Sequence, residues 1–252
     1  MIKVLVNGAM GKMGKEVINA VNECEQTTLA CAVDIMGDGI TILKDLKSAI
    51  ESTKPDVVVD FTQPSAIFEN AKTCLNSKIS VVIGTTGLSE MQINELQRLS
   101  KETGAGCFIA PNFSTGAVLM MKFAKLAAAY FNNAEIIELH HNQKKDAPSG
   151  TAIKTAQLMA EANSCFTLGN CPETETIKGA RGADANANIH IHSVRMPGFM
   201  ASQEVIFGAM GQTLKIRHDS TDRKCYMPGV LLAIKYVVQT RPFIYGLDKI
   251  ME

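Results

Sequence analysis

The 252 residues carry 25 basic and 25 acidic side chains, for a formal net charge of zero, and 46% of them are hydrophobic. That composition excludes a mostly disordered chain and argues against a nucleic-acid-binding domain, which carries a basic surplus. No apolar run reaches the roughly 20 residues of a membrane span, and none of the seven cysteines forms a C-x-x-C pair; no membrane, metal site or disulfide framework is expected, and reduced thiols suit a cytoplasmic setting.

The first apolar run, 2–7, reads as a strand. It leads into Gly8, Ala9, Met10, Gly11, Lys12, Met13 and Gly14, and a helical pattern follows over 12–22. Strand, glycine turn and helix in this order are the context of a dinucleotide fingerprint. The glycines allow a tight turn, close backbone approach to a pyrophosphate and close helix–strand packing, and the helix N-terminus offers unpaired N–H groups to the phosphates. The spacing is G-x-x-G-x-x-G rather than G-x-G-x-x-G.

A second strand, 28–34, ends on Asp34, about 20 residues past the turn, where a carboxylate binds the adenosine ribose hydroxyls. Ile35 and Met36 follow, with no Arg or Lys to embrace a 2′-phosphate. NADH is therefore the favoured cofactor, with NADPH possible through Lys12. Strands over 57–61, 81–84 and 107–110 alternate with helical patterns over 43–52, 66–76 and 89–101. Such alternation predicts βαβ units in a parallel sheet, with every strand's C-terminal end on one ligand-binding edge. Three segments meet that edge: Asp60-Phe61-Thr62-Gln63-Pro64, Gly84-Thr85-Thr86-Gly87 and Ala110-Pro111-Asn112-Phe113. They present small or hydroxyl-bearing residues where a nicotinamide ribose would lie.

The pattern changes after Pro111 and Asn112. A helix over 116–130, a strand over 135–140 and a helix over 150–162 precede a polar, turn-rich stretch at 166–184. Strand-like runs at 189–195, 201–209 and 213–218 then predict a mixed or antiparallel sheet. A final helix, 228–240, is expected to pack back on the first domain. The predicted fold is α/β: a Rossmann-type doubly wound parallel sheet over 1–112, completed by 219–252, plus a C-terminal α+β domain over 113–218.

The densest chemistry lies between Glu138 and Ala152. His140 and His141 are adjacent, Lys144 and Lys145 follow, and Asp146-Ala147-Pro148-Ser149-Gly150 is a turn that opens a helix. Ser149 is the expected N-cap, and the N–H groups of Gly150 and Thr151 form an anion site suited to a carboxylate. Lys144 or Lys145 adds a point charge, and a histidine supplies a general acid. Each feature alone is common on polar loops; together, beside a dinucleotide fold, they describe an acid and a cationic clamp.

This segment resembles the signature of the 4-hydroxy-tetrahydrodipicolinate (dihydrodipicolinate) reductase family, E-x-H-H-x-x-x-K-x-D-x-P-S-G-T-A. The resemblance extends through Val6-Asn7-Gly8-Ala9-Met10-Gly11-Lys12-Met13-Gly14, Val59-Asp60-Phe61-Thr62, Val82-Ile83-Gly84-Thr85-Thr86-Gly87 and Ala110-Pro111-Asn112-Phe113-Ser114. It implies NADH or NADPH as cofactor, a cyclic imine dicarboxylate of the lysine and diaminopimelate pathway as substrate, and a homotetramer assembled through the second domain. By position it implies that His140 is the catalytic acid, Lys144 a second proton donor, His141 a substrate contact, and Gly150 with Thr151 the backbone grip on a carboxylate. Gly8, Ala9, Met10, Gly11, Lys12, Met13, Asp34, Gly84, Thr85, Thr86, Ala110, Pro111, Asn112 and Phe113 are implied cofactor contacts. How His140 and Lys144 divide the proton transfer stays open. Arg195 to Gly198 matches an Arg-x-x-Gly turn loosely, Ser202-Gln203-Glu204 lacks a His often found nearby, and His190 and His192 read as a sheet surface or subunit contact. Two rival readings are another Rossmann oxidoreductase of aspartate-family amino acids and a non-catalytic NAD-binding redox sensor. The joint presence of His140, Lys144 and Thr151 speaks against both.

Overall fold

A computed structural model of the chain describes residues 1–169, 171–185 and 187–251. It divides into two compact units: Met1–Thr115 with the chain from Arg223 onward, and Gly116–Asp222. The last strand of the second unit continues to Ser220, which carries that unit past the expected limit at 218.

The first unit is built from β1 (Ile2–Asn7), α1 (Lys12–Glu23), β2 (Thr27–Val33), β3 (Ile42–Leu43), α2 (Leu46–Thr53), β4 (Val57–Asp60), α3 (Ile67–Asn76), β5 (Ser80–Ile83), α4 (Glu90–Thr103) and β6 (Cys107–Ile109). The chain returns to it at its end through α7 (Met227–Thr240) and β12 (Phe243–Tyr245). Its seven-stranded sheet, in the order β12-β6-β5-β4-β1-β2-β3, is parallel throughout. Helices on both faces bury a parallel sheet, and β4 and β5 are accordingly buried along their whole length. Leu5, Val58, Ile67, Leu75, Val81 and Leu96 belong to one of its cores. This is the expected doubly wound sheet, with α7 packed on it. Its edge strands β3 and β12 were not anticipated, because two or three residues show no periodicity of their own.

Helix starts differ in a way that matters for the site. Asp45 caps α2 through Ser48 N, and Ser89 caps α4 in a capping box with Gln92. By contrast, α1 begins at Gly11 with no side-chain cap. Its first-turn N–H groups have no side-chain oxygen to receive them.

The second unit contains α5 (Thr115–Ala128), β7 (Asn133–His140), α6 (Gly150–Ala162), β8 (Ala183–Asp184), β9 (His190–Arg195), β10 (Ala201–Ala209) and β11 (Gln212–Ser220). The strand order is β11-β10-β7-β9-β8. Neighbours are antiparallel except β7 and β9, so the sheet is mixed. Residues of α5 and α6 (Ala124, Ala128, Ala152, Ala156, Met159) form a core with Ile136, Ile191, Val205 and Phe207 of the sheet. Alternate residues of a strand share a face. Ala134, Ile136, Glu138 and His140 thus form one stripe of β7, and the register sets Ile191, Ser193 and Arg195 of β9 beside the last three.

Candidate active site

Within the first unit the glycine turn is fixed by close packing. Gly8 has φ +84°, and a Cβ there would lie 2.6 Å from the Phe61 carbonyl oxygen. A Cβ on Gly14 would run into the Gly8 carbonyl oxygen and sit 2.8 Å from the Ala9 Cα. Gly8 N and Ala9 N donate to the Val33 carbonyl at 2.9 and 3.0 Å. Asp34 completes the turn: its Oδ2 accepts from Met10 N at 3.0 Å and its Oδ1 from Met36 N at 3.0 Å. Met10, Gly11 and Lys12 are exposed beside it and Met13 is half-buried.

The other predicted edge segments gather on the same strand ends. Ala110 N donates to the Ile83 carbonyl at 3.1 Å. Gly84 has no room for a side chain because the Phe61 ring fills the space. The Phe61 and Phe113 rings lie 5.8 Å apart. Thr86 and Pro111 are exposed, and half-buried Asn112 accepts from Ser114 N at 2.8 Å through its side chain.

One residue of this edge carried no assigned role in the sequence reading. Asp60, fully buried, accepts from Asn7 Nδ2 at 2.7 Å, Thr62 Oγ1 at 2.6 Å, Asn70 Nδ2 at 3.0 Å and Thr85 Oγ1 at 3.4 Å. It ties the ends of β1, β4 and β5 together. Burial pushes its carboxyl up, against hydrogen bonds from Thr62, Asn7 and Asn70 that favour the ionised form.

Together, an uncapped helix start, a turn that excludes side chains from its backbone and an acid at the end of β2 fit the pyrophosphate and ribose of a dinucleotide.

Within the second unit the chemistry converges on Glu138, which has no exposed surface. Arg195 grips it with two donors, Nη2 to Oε1 at 2.7 Å and Nη1 to Oε2 at 2.9 Å. His140 Nδ1 meets Oε2 at 2.5 Å, and Ser149 N donates to Oε1 at 3.2 Å. Burial acts to raise the Glu138 carboxyl, but hydrogen bonds from His140, Arg195 and Ser193 outweigh it and hold the group at about 2. An ionised carboxylate can only accept, so the ring proton sits on Nδ1 and Nε2 is left for exchange with a ligand.

The neighbouring loop is held by the same arginine, whose Nη2 donates to the Asp146 carbonyl at 2.8 Å. Lys144, mostly buried, binds the Asp146 carboxylate at 2.7 and 2.8 Å. Ser149 Oγ accepts from Ala152 N at 3.2 Å, as an N-cap should, and a Cβ on Gly150 would meet nothing within 4 Å. Thr151 follows in the first turn, half-buried. His141 is exposed and accepts from Gln143 N at 3.2 Å. The structure thus brings His140 and the start of α6 onto one buried carboxylate, ties it through Arg195 to the loop where Lys144 pairs with Asp146, and leaves His141 exposed.

Glu138 and Arg195 had no role in the sequence reading beyond their place in a motif. A signal existed: a glutamate in step with Ala134 and Ile136 occupies a core-facing position, where a charge needs a partner. On the opposite face, His192 Nε2 meets Glu135 Oε2 at 2.8 Å, and Arg181 binds Oε1 at 2.6 Å.

A carboxyl held low in the folded state adds stability above its unfolded value and loses it as pH falls through the folded one. Glu138, at about 2 against 4.5, therefore contributes roughly 3 kcal/mol at pH 6 that is mostly gone at pH 2. Denaturant titrations should show the stability gap between the wild type and Glu138→Gln closing by about that amount over this range. A gap independent of pH would refute the ion pair.

A parallel dinucleotide-binding unit joined in one chain to a mixed-sheet unit in which His140 and Arg195 close on the buried Glu138 defines a Rossmann-type oxidoreductase. Residues 2–113 match the dihydrodipicolinate reductase N-terminal family model and residues 116–251 its C-terminal counterpart. The chain belongs to the dihydrodipicolinate reductase family. It is 49% identical to the 4-hydroxy-tetrahydrodipicolinate reductase of Gloeothece citriformis, covering 99% of this chain and 98% of that one. The enzyme of the same name from Syntrophomonas wolfei is also 49% identical, with the same coverage. Among solved structures, a dipicolinate-bound dihydrodipicolinate reductase from Paenisporosarcina sp. TG-14 superposes with TM-score 0.90 at 43% identity, over the full length of both chains. Among the described residues no helix is long and apolar enough to cross a membrane.

Proposed function

We infer that this chain reduces 4-hydroxy-tetrahydrodipicolinate to tetrahydrodipicolinate, with loss of water, in diaminopimelate and lysine biosynthesis. The observation that carries the reading is the buried Glu138 carboxylate holding His140 and the start of α6, beside the loop that carries Lys144, within a chain of this family. When bound, the reduced nicotinamide supplies a hydride to the conjugated ring of the substrate. The enamine so formed needs a proton at the neighbouring carbon, and His140 as the imidazolium gives one from Nε2 while Nδ1–H stays bound to Glu138. Lys144 is a second donor and a counter-charge to the dicarboxylate; the same acids assist departure of the 4-hydroxyl as water. The N–H groups of Gly150 and Thr151 take one carboxylate at the helix start, and His141 contacts the substrate from the rim.

For the cofactor, Gly8, Ala9, Met10, Gly11, Lys12 and Met13 cradle the pyrophosphate, and Asp34 receives the adenosine ribose. Gly84, Thr85, Thr86, Ala110, Pro111, Asn112 and Phe113 line the nicotinamide side. Asp34 already orders the turn through Met10 and Met36, and exposed Ile35 rather than a cation follows it. A 2′-phosphate there would meet a carboxylate, which Lys12 of the turn offsets only in part. NADH is thus the preferred form, and kcat/KM with NADH should exceed that with NADPH by about tenfold. Steady-state rates with both cofactors test this, and the opposite ratio would sink the Asp34 argument. The assembly is a cytoplasmic homotetramer formed through the second unit.

The deciding experiment follows NADH consumption with the product of the preceding synthase step, beside homoserine and aspartate-pathway substrates. Rapid oxidation with the first alone supports the assignment. Turnover only with the others, or with none, overturns it in favour of a related dehydrogenase or a redox sensor.

A further inference from the structure

The cluster in the second unit contains two residues, Glu138 and Arg195, that the chemistry above does not consume. They lie on neighbouring strands, 57 positions apart in sequence. Apart from a hydrogen bond with the Ser193 side chain, each contact of the Glu138 carboxylate leads to a different part of the cluster. Oε2 holds the His140 ring, Oε1 holds Ser149 N at the start of the anion-binding turn, and Arg195 reaches from both oxygens to the Asp146 carbonyl of the lysine loop. Buried charges are retained where each is paired and each lone pair satisfied. Here the satisfied lone pairs are also the ones that orient the proposed acid.

We propose that Glu138, locked by Arg195, is a positioning residue that sets the tautomer and orientation of the His140 ring and couples it to the Ser149–Thr151 turn. This rests on the reading of His140 as the proton donor. The carboxylate obliges Nδ1 to carry hydrogen, so that Nε2 is the nitrogen that faces the reaction. It also balances the imidazolium form without touching the substrate; an amide that donates to Nδ1 keeps the ring neutral, and the Nε2–H of a neutral imidazole is too weak an acid to replace the imidazolium. Arg195 keeps the carboxylate from rotating, because two parallel N–H donors fix its plane.

Glu138→Gln tests this with little change in volume. Oε1 receives Arg195 and Ser149 N, whereas Oε2 receives Arg195 and a histidine, which can switch roles; the Ser193 hydroxyl, the remaining partner, can turn to donate or accept and so favours neither. Placing the amide NH2 at the first position faces it with two fixed donors; placing it at the second faces it with one. The amide therefore takes the second position and donates to Nδ1, driving His140 to the Nε2–H tautomer. Long-range 1H–15N correlation spectra of the full-length protein, at alkaline pH where imidazoles are neutral, read this directly. The His140 signal is identified by its loss in His140→Gln.

The expected result is Nδ1–H in the wild type, Nε2–H in Glu138→Gln, and a kcat lower by about 10- to 100-fold with the KM for cofactor unchanged. Glu138→Asp keeps the charge but withdraws it by one methylene, and should lose kcat to a similar extent. An Nε2–H ring in the wild type needs no variant to fold and would overturn the proposal. So would an unchanged tautomer or an unchanged kcat in a folded Glu138→Gln. Wild-type turnover in His140→Gln would instead overturn the acid reading beneath it, whatever the tautomer shows.

Discussion

His140→Gln should lower kcat by about 10²- to 10⁴-fold, the range that a positioned proton donor contributes, while the Kd for the dinucleotide stays within about twofold. The residues concerned belong to different units. His140 ends β7 in the second unit, whereas the glycine turn and Asp34 are built by β1, α1 and β2 of the first. Gln preserves bulk and can still donate to Glu138, so the local ion pair with Arg195 survives and the fold is spared. What it lacks is a ring nitrogen that can give up a proton and take it back. Lys144→Ala should also depress kcat, and it should raise the KM for the substrate because a counter-charge to the carboxylates goes with it. Steady-state kinetics and cofactor fluorescence titration separate these effects. Wild-type kcat in either variant would remove that residue from the proton-transfer step.

Gly14→Ala is the second large effect, and it falls on the other unit. A Cβ at this position meets the Gly8 carbonyl oxygen, with the Ala9 Cα and Gly8 carbonyl carbon at 2.8 Å. All of these are backbone atoms, so no side chain can swing aside. Either α1 lifts from β1 or the turn opens, and each breaks the hydrogen bonds that Gly8, Ala9 and Met10 make to Val33 and Asp34. Overpacking of this kind costs about 1–3 kcal/mol, and loss of the turn geometry should weaken cofactor binding by at least about tenfold. Chemical denaturation and dinucleotide titration of the same variant measure both. A variant as stable as wild type, with unchanged affinity, would show that the turn tolerates a side chain and that close packing is not what shapes it.

The elements named from periodicity were largely recoverable because the information is local. Ile2–Asn7 followed by three glycines at fixed spacing declares a strand, a tight turn and a helix start without reference to distant residues. Ser149 declared the start of α6 in the same way, and its side chain caps Ala152 N. The short edge strands β3 and β12 left no such trace. Ile42–Leu43 and Phe243–Tyr245 are strands only because a sheet edge is there to receive them.

The site divides along the same line. His140, Lys144, Gly150 and Thr151 stand within one short segment, and a motif can carry them because turn and cap geometry is set by neighbours in sequence. Glu138 was visible in that segment, but its burial was not. Its partner comes from β9 and is supplied by a parallel pairing in which His140 lies opposite Arg195. Asp60 is a similar case: it accepts from Asn7 across 53 residues, through the register of β1 and β4. By itself, then, the sequence determined the order of elements, the glycine turn with its acidic partner, and the family through the segment from Glu138 to Ala152. Only the tertiary structure decided that Asp60 in the first unit and Glu138 in the second are buried carboxylates, each gathering hydrogen bonds within its own unit. The physical reason is that side-chain periodicity reports neighbours one turn or one pleat away. The satisfaction of a buried charge depends on which strands pair and in what register.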